Sequence, residues 1–133
     1  MTVERINPPE LAPPVGYSHA TVASGRFVFL AGQTALDAAG KLVAGTVVEQ
    51  FERALGNLLA ALAAAGGTPR DLASLTIYST DIPEYRKHAK EIGAAWRRLV
   101  GKTYPAMALV GVDRLWDVDA VVEIQGFAVL SDG

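Results

Sequence analysis

The clearest pattern along the chain is an apolar stripe with helical spacing that begins after Thr46. Apolar residues recur there at steps of three and four, as they do on one face of a helix. The stripe consists of Val47, Phe51, Leu55, Leu58, Leu59 and Leu62. Thr46 and Glu49 form a capping box, which pairs two backbone N–H groups at the start of a helix. Gly66-Gly67 marks its end.

A second helical stripe follows Asp81 and Pro83, two residue types that are common at helix starts. Its apolar positions are Tyr85, Ala89, Ile92, Trp96 and Leu99. Gly101 ends the pattern. Because each helix has only one apolar stripe, both are predicted to pack on the same face of a sheet.

Runs rich in β-branched and aromatic residues predict five strands. They cover residues 17–23, 26–31, 72–80, 106–112 and 120–130. Ser24-Gly25 separates the first two runs, which predicts a hairpin. The resulting order is ββαβαββ.

This order predicts one α+β domain over residues 1–133, built from a single mixed β-sheet with two helices on one face. Residues 1–15 contain four prolines and are predicted to form an extended arm. The last strand has apolar residues on both of its faces. Because the helices cover only one face, a second copy of the chain is expected to cover the other.

The chain contains no cysteine, which excludes disulfides, thiolate nucleophiles and zinc sites built on cysteine. Its two histidines, His19 and His88, are far apart and do not have the spacing of a metal-binding pair. They are interpreted as surface or capping residues. We therefore expect no metal site.

The net charge is −2 and the basic residues are interpreted as scattered, which disfavours nucleic-acid binding through bulk charge. The first residues carry charges and prolines where a signal peptide has an apolar run. The longest apolar run, residues 58–65, is shorter than the roughly 20 residues that span a bilayer. These features predict a cytoplasmic protein without membrane contact.

Four segments, in this order, resemble those of the RidA (YjgF/UK-type, reactive intermediate deaminase) superfamily. They are Gly16-Tyr17, residues 29–33 (FLAGQ), Tyr104-Pro105-Ala106 and residues 122–128 (VEIQGFA). The resemblance implies a chorismate-mutase-like fold and a homotrimer with ligand sites in the clefts between subunits. It also implies hydrolysis of enamines and imines to carbonyl products and ammonia, without a cofactor.

The resemblance assigns roles to individual positions. Tyr17 and Glu123 match the family's catalytic residues, the glutamate being the one that positions water. Gly32 matches a glycine whose backbone lines the cleft, and Gln33 and Ala106, which adjoin matched positions, are expected to bind the ligand with it. The arginine that binds the substrate carboxylate in active relatives is replaced by Met107. This is a marked departure, because a thioether has neither the charge nor the paired donors of a guanidinium.

A second departure is Trp116, which stands where the family usually has proline after a leucine. We interpret it either as a lid or subunit contact, or as a cleft wall that stacks on a planar ligand. Met107 is interpreted as an apolar pocket wall that converges with Gly32 and Glu123. Glu123 lies either in a cleft or in an interface salt bridge, and Tyr17 is either a pocket hydroxyl or a packing ring. The candidates to replace the missing positive charge are Arg26, Lys90, Lys102 and Arg114.

Three functions remain open from the sequence. The first is a RidA-like enamine or imine deaminase with altered specificity, and the second is a trimer that binds a small metabolite without turning it over. The third is an interaction protein that acts through its trimer surface. The retained Tyr17 and Glu123 favour a functional pocket, whereas Met107 disfavours the usual small, acidic substrate.

Overall fold

The computed structural model describes residues 3–43 and 45–131, which contain six strands and three helices. The strands are β1 (Val3–Ile6), β2 (Ala20–Ala23), β3 (Arg26–Gln33), β4 (Leu72–Ser79), β5 (Ala106–Gly111) and β6 (Val122–Leu130). The helices are α1 (Val47–Ala64), α2 (Ile82–Lys87) and α3 (Ala89–Leu99). The predicted α+β class is confirmed. The beginning of the predicted arm is itself a strand, β1, which the sequence pattern did not indicate.

Four strands form a mixed sheet in the order β3-β6-β4-β5. Strand β6 is antiparallel to β3 and β4, whereas β5 is parallel to β4. Strand β2 pairs with β1 in a separate two-stranded ribbon. The predicted hairpin between residues 17–23 and 26–31 is therefore wrong. Gly25 allows β3 to approach β6, because a Cβ at this position would collide with the carbonyl oxygen of Leu130.

The helices pack on one face of the mixed sheet, as predicted, and enclose the main core. Its largest fully buried side chains are Phe51, Leu55, Leu58, Leu62, Leu72, Leu75, Val122 and Ile124. Thr46 and Glu49 form both hydrogen bonds of the predicted capping box, 2.8 and 3.2 Å long. Burial of a large apolar side chain contributes about 1.5–3 kcal/mol. This face of the sheet therefore anchors the helices.

The second helical region is two helices, not the continuous one predicted. His88 interrupts it as the C-terminal cap of α2 and the N-terminal cap of α3. Its backbone leaves the helical range, with φ −107° and ψ 20°. The apolar stripe runs on through the break, from Tyr85 to Ile92, so the periodicity did not reveal it. Asp81 caps α2 as expected, accepting a hydrogen bond of 3.1 Å from the Glu84 N–H.

The sheet face opposite the helices, called the open face below, is only partly covered. The β1-β2 ribbon packs on one end of it, where Val3, Ala73 and Val129 are buried together. The rings of Phe27, Phe29 and Phe127 lie beside this end, with each pair of ring centroids 6.2 Å apart. We call these rings the aromatic trio. Phe27 and Phe29 are 58% and 78% exposed, so a large apolar patch remains uncovered within the chain.

A glycine in β6 is expected to be essential for sheet packing. A Cβ at Gly126 would overlap the carbonyl oxygen of Ser74 and lie 2.9 Å from the Cα of Leu75. Gly126→Ala should therefore lower the free energy of unfolding by about 1–3 kcal/mol, as overpacking does in other cores. Chemical denaturation measures the change. Gly56→Ala in α1 is the control, because a Cβ there has open space and favours the helix. Equal stability of the two variants would contradict the prediction.

Candidate functional site

The carboxylate of Glu123 lies on the open face, directly against the backbone of Gly32. Glu123 alternates along β6 with the core residues Val122 and Ile124, so it projects to the side away from the helices. It is half-buried and forms no hydrogen bond or salt bridge with any residue in 3–43 or 45–131. A half-buried carboxylate without a partner is available for a ligand, a water molecule or another subunit.

Gly32 creates the space that this carboxylate occupies. The pairing of β3 with β6 is irregular between Leu30 and Gln33, and Gln33 lies opposite Ile124. A Cβ at position 32 would overlap the Glu123 carboxylate and lie 2.9 Å from its Cδ. A glycine in such a bulge brings the backbone close to another group. The structure thus brings together Gly32, Gln33 and Glu123, three of the residues singled out in the sequence.

The loop that carries Trp116 is anchored beside the end of β3. The buried hydroxyl of Thr34 donates to Asp117 over 2.5 Å, and the side-chain oxygen of Gln50 accepts from the N–H of Val121 over 2.9 Å. Trp116 itself is 94% exposed. Its ring therefore does not cover the core of this chain, which leaves a subunit contact or a cleft wall as its role.

Met107 and Tyr17 lie on the other side of the sheet. Met107 pairs with the core residue Leu75 and packs against the main core. Ser18 fixes the arm to the start of β5 through hydrogen bonds of 2.9 Å to the Pro105 carbonyl and 2.7 Å to the Tyr104 carbonyl. Ala106, opposite Ser18 in this bridge, is half-buried. Tyr17 and Met107 consequently line the same small cavity of about 190 Å³.

The predicted convergence of Gly32, Met107 and Glu123 does not occur within one chain. Gly32 and Glu123 belong to the open face, and Met107 belongs to the helix side. They also lie on different strands, and β3 and β5 are three strand spacings apart, or about 14 Å. The candidate residues therefore form two half-sites in one chain, and only another chain can bring the two half-sites together.

The structure distinguishes between the candidate cations. Arg114 lies 3.6 Å from Asp113 and is largely exposed. Lys90 lines a cavity of about 360 Å³ together with Met107. Arg97 lines the same cavity and was missed in the sequence. The sequence could have indicated Arg97 through its spacing from Lys90, because residues seven apart, or two helical turns, share a helix face.

The basic residues are also less scattered than the sequence interpretation held. Five of the 12 lie in α2 and α3: Arg86, Lys87, Lys90, Arg97 and Arg98.

Among the described residues, no group of three or more histidine, aspartate or glutamate side chains has the arrangement of a metal site. Within the same part of the chain, no helix is long and apolar enough to cross a membrane.

His88 is held between two carboxylates. Its Nδ1 lies 2.8 Å from Glu91 and its Nε2 lies 3.2 Å from Glu84. The hydrogen bond to Glu91, and then the charge of Glu84, raise the pKa of the imidazole above its ordinary value of 6.5. The pKa of His88 is thus higher in the folded chain than in the unfolded chain. The contacts of the protonated imidazole with Glu84 and Glu91 therefore stabilise the fold below pH 6.5, and this stabilisation is lost as the pH rises through the folded pKa.

Glu91→Gln should therefore lower the pKa of His88, because the amide keeps an oxygen but not the charge. An NMR titration of the imidazole measures this shift. Glu52→Gln is the control, because Glu52 pairs with Arg98 and not with His88. If both variants gave the wild-type pKa, the contact with Glu91 would not exist in solution.

Comparisons with known proteins agree on one family. The family model described as Endoribonuclease L-PSP matches residues 8–130. The chain is 31% identical to a RutC family protein of Pyrococcus abyssi over 90% of this chain and 91% of the archaeal protein. It is also 31% identical to the 2-iminobutanoate/2-iminopropanoate deaminase of Capra hircus, over 85% of this chain and 79% of that protein.

A solved structure gives the same result for the fold. A Rid family protein from Yersinia pestis superposes with a TM-score of 0.88 at 33% identity, covering 98% of this chain and 100% of that protein. The YjgF-like fold expected from the sequence is therefore confirmed.

Proposed function

Because the chain belongs to the endoribonuclease L-PSP family, the family of the RutC and Rid proteins, we propose that it is an enamine or imine deaminase with altered specificity. The observation that carries the proposal is the unpaired Glu123 carboxylate against the backbone of Gly32. A relative named as an imine deaminase, 31% identical over 85% of this chain, supports the reaction class.

The proposed assembly is a homotrimer, with each site in a cleft between two subunits. The uncovered aromatic trio supplies an apolar surface for another copy. The two half-sites supply the second reason, because Gly32 and Glu123 of one chain cannot reach Met107 and Tyr17 of the same chain. A neighbouring subunit that covers the open face would place its own residues opposite Glu123.

The proposed reaction adds water across a carbon–nitrogen double bond. Glu123 accepts a proton from water while the oxygen forms a bond to the imine carbon, and the same proton is then passed to the imine nitrogen, which leaves Glu123 ionised again. In the resulting aminocarbinol the hydroxyl proton is transferred to the nitrogen, the carbon–nitrogen bond breaks, and ammonia leaves with the carbonyl product. An enamine enters the same route after protonation at carbon gives the imine. The hydroxyl of Tyr17 and backbone N–H groups at the cleft are proposed to polarise the double bond.

Met107 defines the altered specificity in this proposal. A methionine side chain packs against apolar groups but cannot form the paired, charge-assisted hydrogen bonds of an arginine. Each such bond contributes about 1.5–3 kcal/mol. Small imino acids, which present little more than their carboxylate, are therefore expected to bind weakly. Imines with larger apolar groups fit the position better.

Release of ammonia from a panel of imines, generated from amino acids by an amino-acid oxidase, tests the proposal. The wild-type protein should accelerate release, and Glu123→Gln should remove at least about 99% of the acceleration, as loss of a general base does. Glu10→Gln is the matched control, because Glu10 is exposed and belongs to neither half-site. Equal activity of Glu123→Gln and wild type would overturn the role of Glu123.

The second candidate is a trimer that binds a small metabolite without turning it over. Met107 favours it, because the position that holds the substrate carboxylate in active relatives carries no charge here. Under this alternative, the protein binds a small apolar or planar ligand but does not accelerate ammonia release from any imine of the panel.

A further inference from the structure

The cavity of about 360 Å³ between α3 and β5 combines an apolar interior with a basic rim. Its interior is formed by Phe51, Ile77, Tyr85, Ile92, Trp96, Tyr104 and Met107. The Trp96 and Tyr104 rings stack with centroids 5.7 Å apart, and the Trp96 indole N–H donates to the Thr103 carbonyl over 3.2 Å. These contacts hold the aromatic wall in place. Its volume is within the range of small-molecule pockets, about 300–1,000 Å³.

Lys90 and Arg97 lie at the rim of this cavity, on the same face of α3. Gly93 lies between them, and a Cβ there would be 3.6 Å from Nη1 of Arg97. The guanidinium is thus folded back along the helix towards Lys90. No aspartate or glutamate is among the described residues that line the cavity, so the rim carries two positive charges and no negative one.

The neighbouring acids are already engaged elsewhere. Glu84 and Glu91 contact His88, and Glu52 pairs with Arg98 at 2.7 Å. Neither Lys90 nor Arg97 forms a salt bridge within the described part of the chain. Two cations that form no salt bridge, beside an apolar cavity, match a ligand that has an anionic end and an apolar body.

We propose that this cavity binds carboxylates with a bulky aromatic side chain, the ring inside and the carboxylate between Lys90 and Arg97. This inference rests on the proposed function and deepens it, since it assigns the deaminase 2-imino acids derived from aromatic amino acids. Lys90 and Arg97 on α3 supply the positive charge that Met107 lacks. The substrate carboxylate therefore binds at the rim of the cavity and not beside position 107. The imine carbon, which adjoins the carboxylate, then lies where water and another subunit have access.

Calorimetric titration with 3-phenylpropanoate tests the proposal, because this probe carries both features and is not consumed. Two matched probes each lack one feature: propanoate lacks the ring and 3-phenylpropan-1-ol lacks the charge. The wild-type protein should bind 3-phenylpropanoate at least about tenfold more tightly than either, a difference of about 1.4 kcal/mol. Binding of propanoate as tightly as 3-phenylpropanoate would overturn the role of the cavity.

Lys90→Gln combined with Arg97→Gln should weaken 3-phenylpropanoate binding at least about tenfold, since charge-assisted hydrogen bonds are lost. The control is Lys87→Gln with Arg98→Gln, which removes the same charge from neighbouring positions outside the cavity lining. Equal weakening in both double variants would show that only overall charge matters, and would overturn the inference. Circular dichroism verifies that each variant is folded.

Failure of this inference differs from failure of the proposed function. If small imines are hydrolysed but 3-phenylpropanoate does not bind, the deaminase stands and the aromatic carboxylate site is wrong. If 3-phenylpropanoate binds through Lys90 and Arg97 but no imine is hydrolysed, the site stands and the deaminase is wrong.

Discussion

Replacement of Phe29 by aspartate is expected to convert the proposed trimer into monomers. Phe29 is the most exposed ring of the aromatic trio, at 78%, and the trio is the apolar surface that a second copy is proposed to cover. A carboxylate buried there without a partner would be strongly unfavourable. Light scattering should give about three times the 14.0 kDa chain mass for wild type and a single chain mass for Phe29→Asp. Imine hydrolysis should disappear with the trimer, because each proposed site needs two chains.

Leu11→Asp is the matched control for this experiment, because Leu11 is an exposed apolar residue of the N-terminal segment, outside the mixed sheet. This variant should remain trimeric and active. A wild-type protein that is a monomer at micromolar concentration would contradict the assembly. A monomeric Phe29→Asp that keeps full activity would contradict the site shared between subunits.

The helices could be predicted from the sequence because their determinants are local. In α1 these determinants all lie within about four helical turns: the apolar stripe from Val47 to Leu62 and the capping box of Thr46 and Glu49. Strand pairing is not local. The pattern identified β3, but its partner β6 lies about a hundred residues further on, and nothing near Gly25 distinguishes a hairpin turn from a close approach to β6.

The same limit applies to the candidate site. Gly32 and Glu123 were found from the resemblance, and the contact between them was not visible in their spacing. The side of the sheet to which Met107 projects depends on its pairing with Leu75, which only the folded sheet determines. Arg97 was missed because its relation to Met107 depends on how α3 packs over β5. Contacts between distant elements, rather than local propensity, therefore define both half-sites.

Met107→Arg is expected to change which substrates the protein accepts. A guanidinium at this position enters the apolar cavity and offers a small imino acid two charge-assisted hydrogen bonds. Hydrolysis of 2-aminoacrylate should rise at least about tenfold, since one such bond is worth about 1.5–3 kcal/mol. The same side chain takes space from an aromatic ring, so 3-phenylpropanoate should bind more weakly. Ammonia release and calorimetry on one preparation measure both effects.

Met107→Gln is the matched control, because glutamine has a similar length but no charge, and it should not increase 2-aminoacrylate hydrolysis. Glu123→Gln added to Met107→Arg should remove the gain, since the carboxylate clamp only positions a substrate that Glu123 must still hydrate. A different outcome is a lower melting temperature without any gain in hydrolysis. That result would mean that the guanidinium is buried among Ile77, Tyr85 and Trp96 without a partner, and that position 107 does not contact the substrate carboxylate.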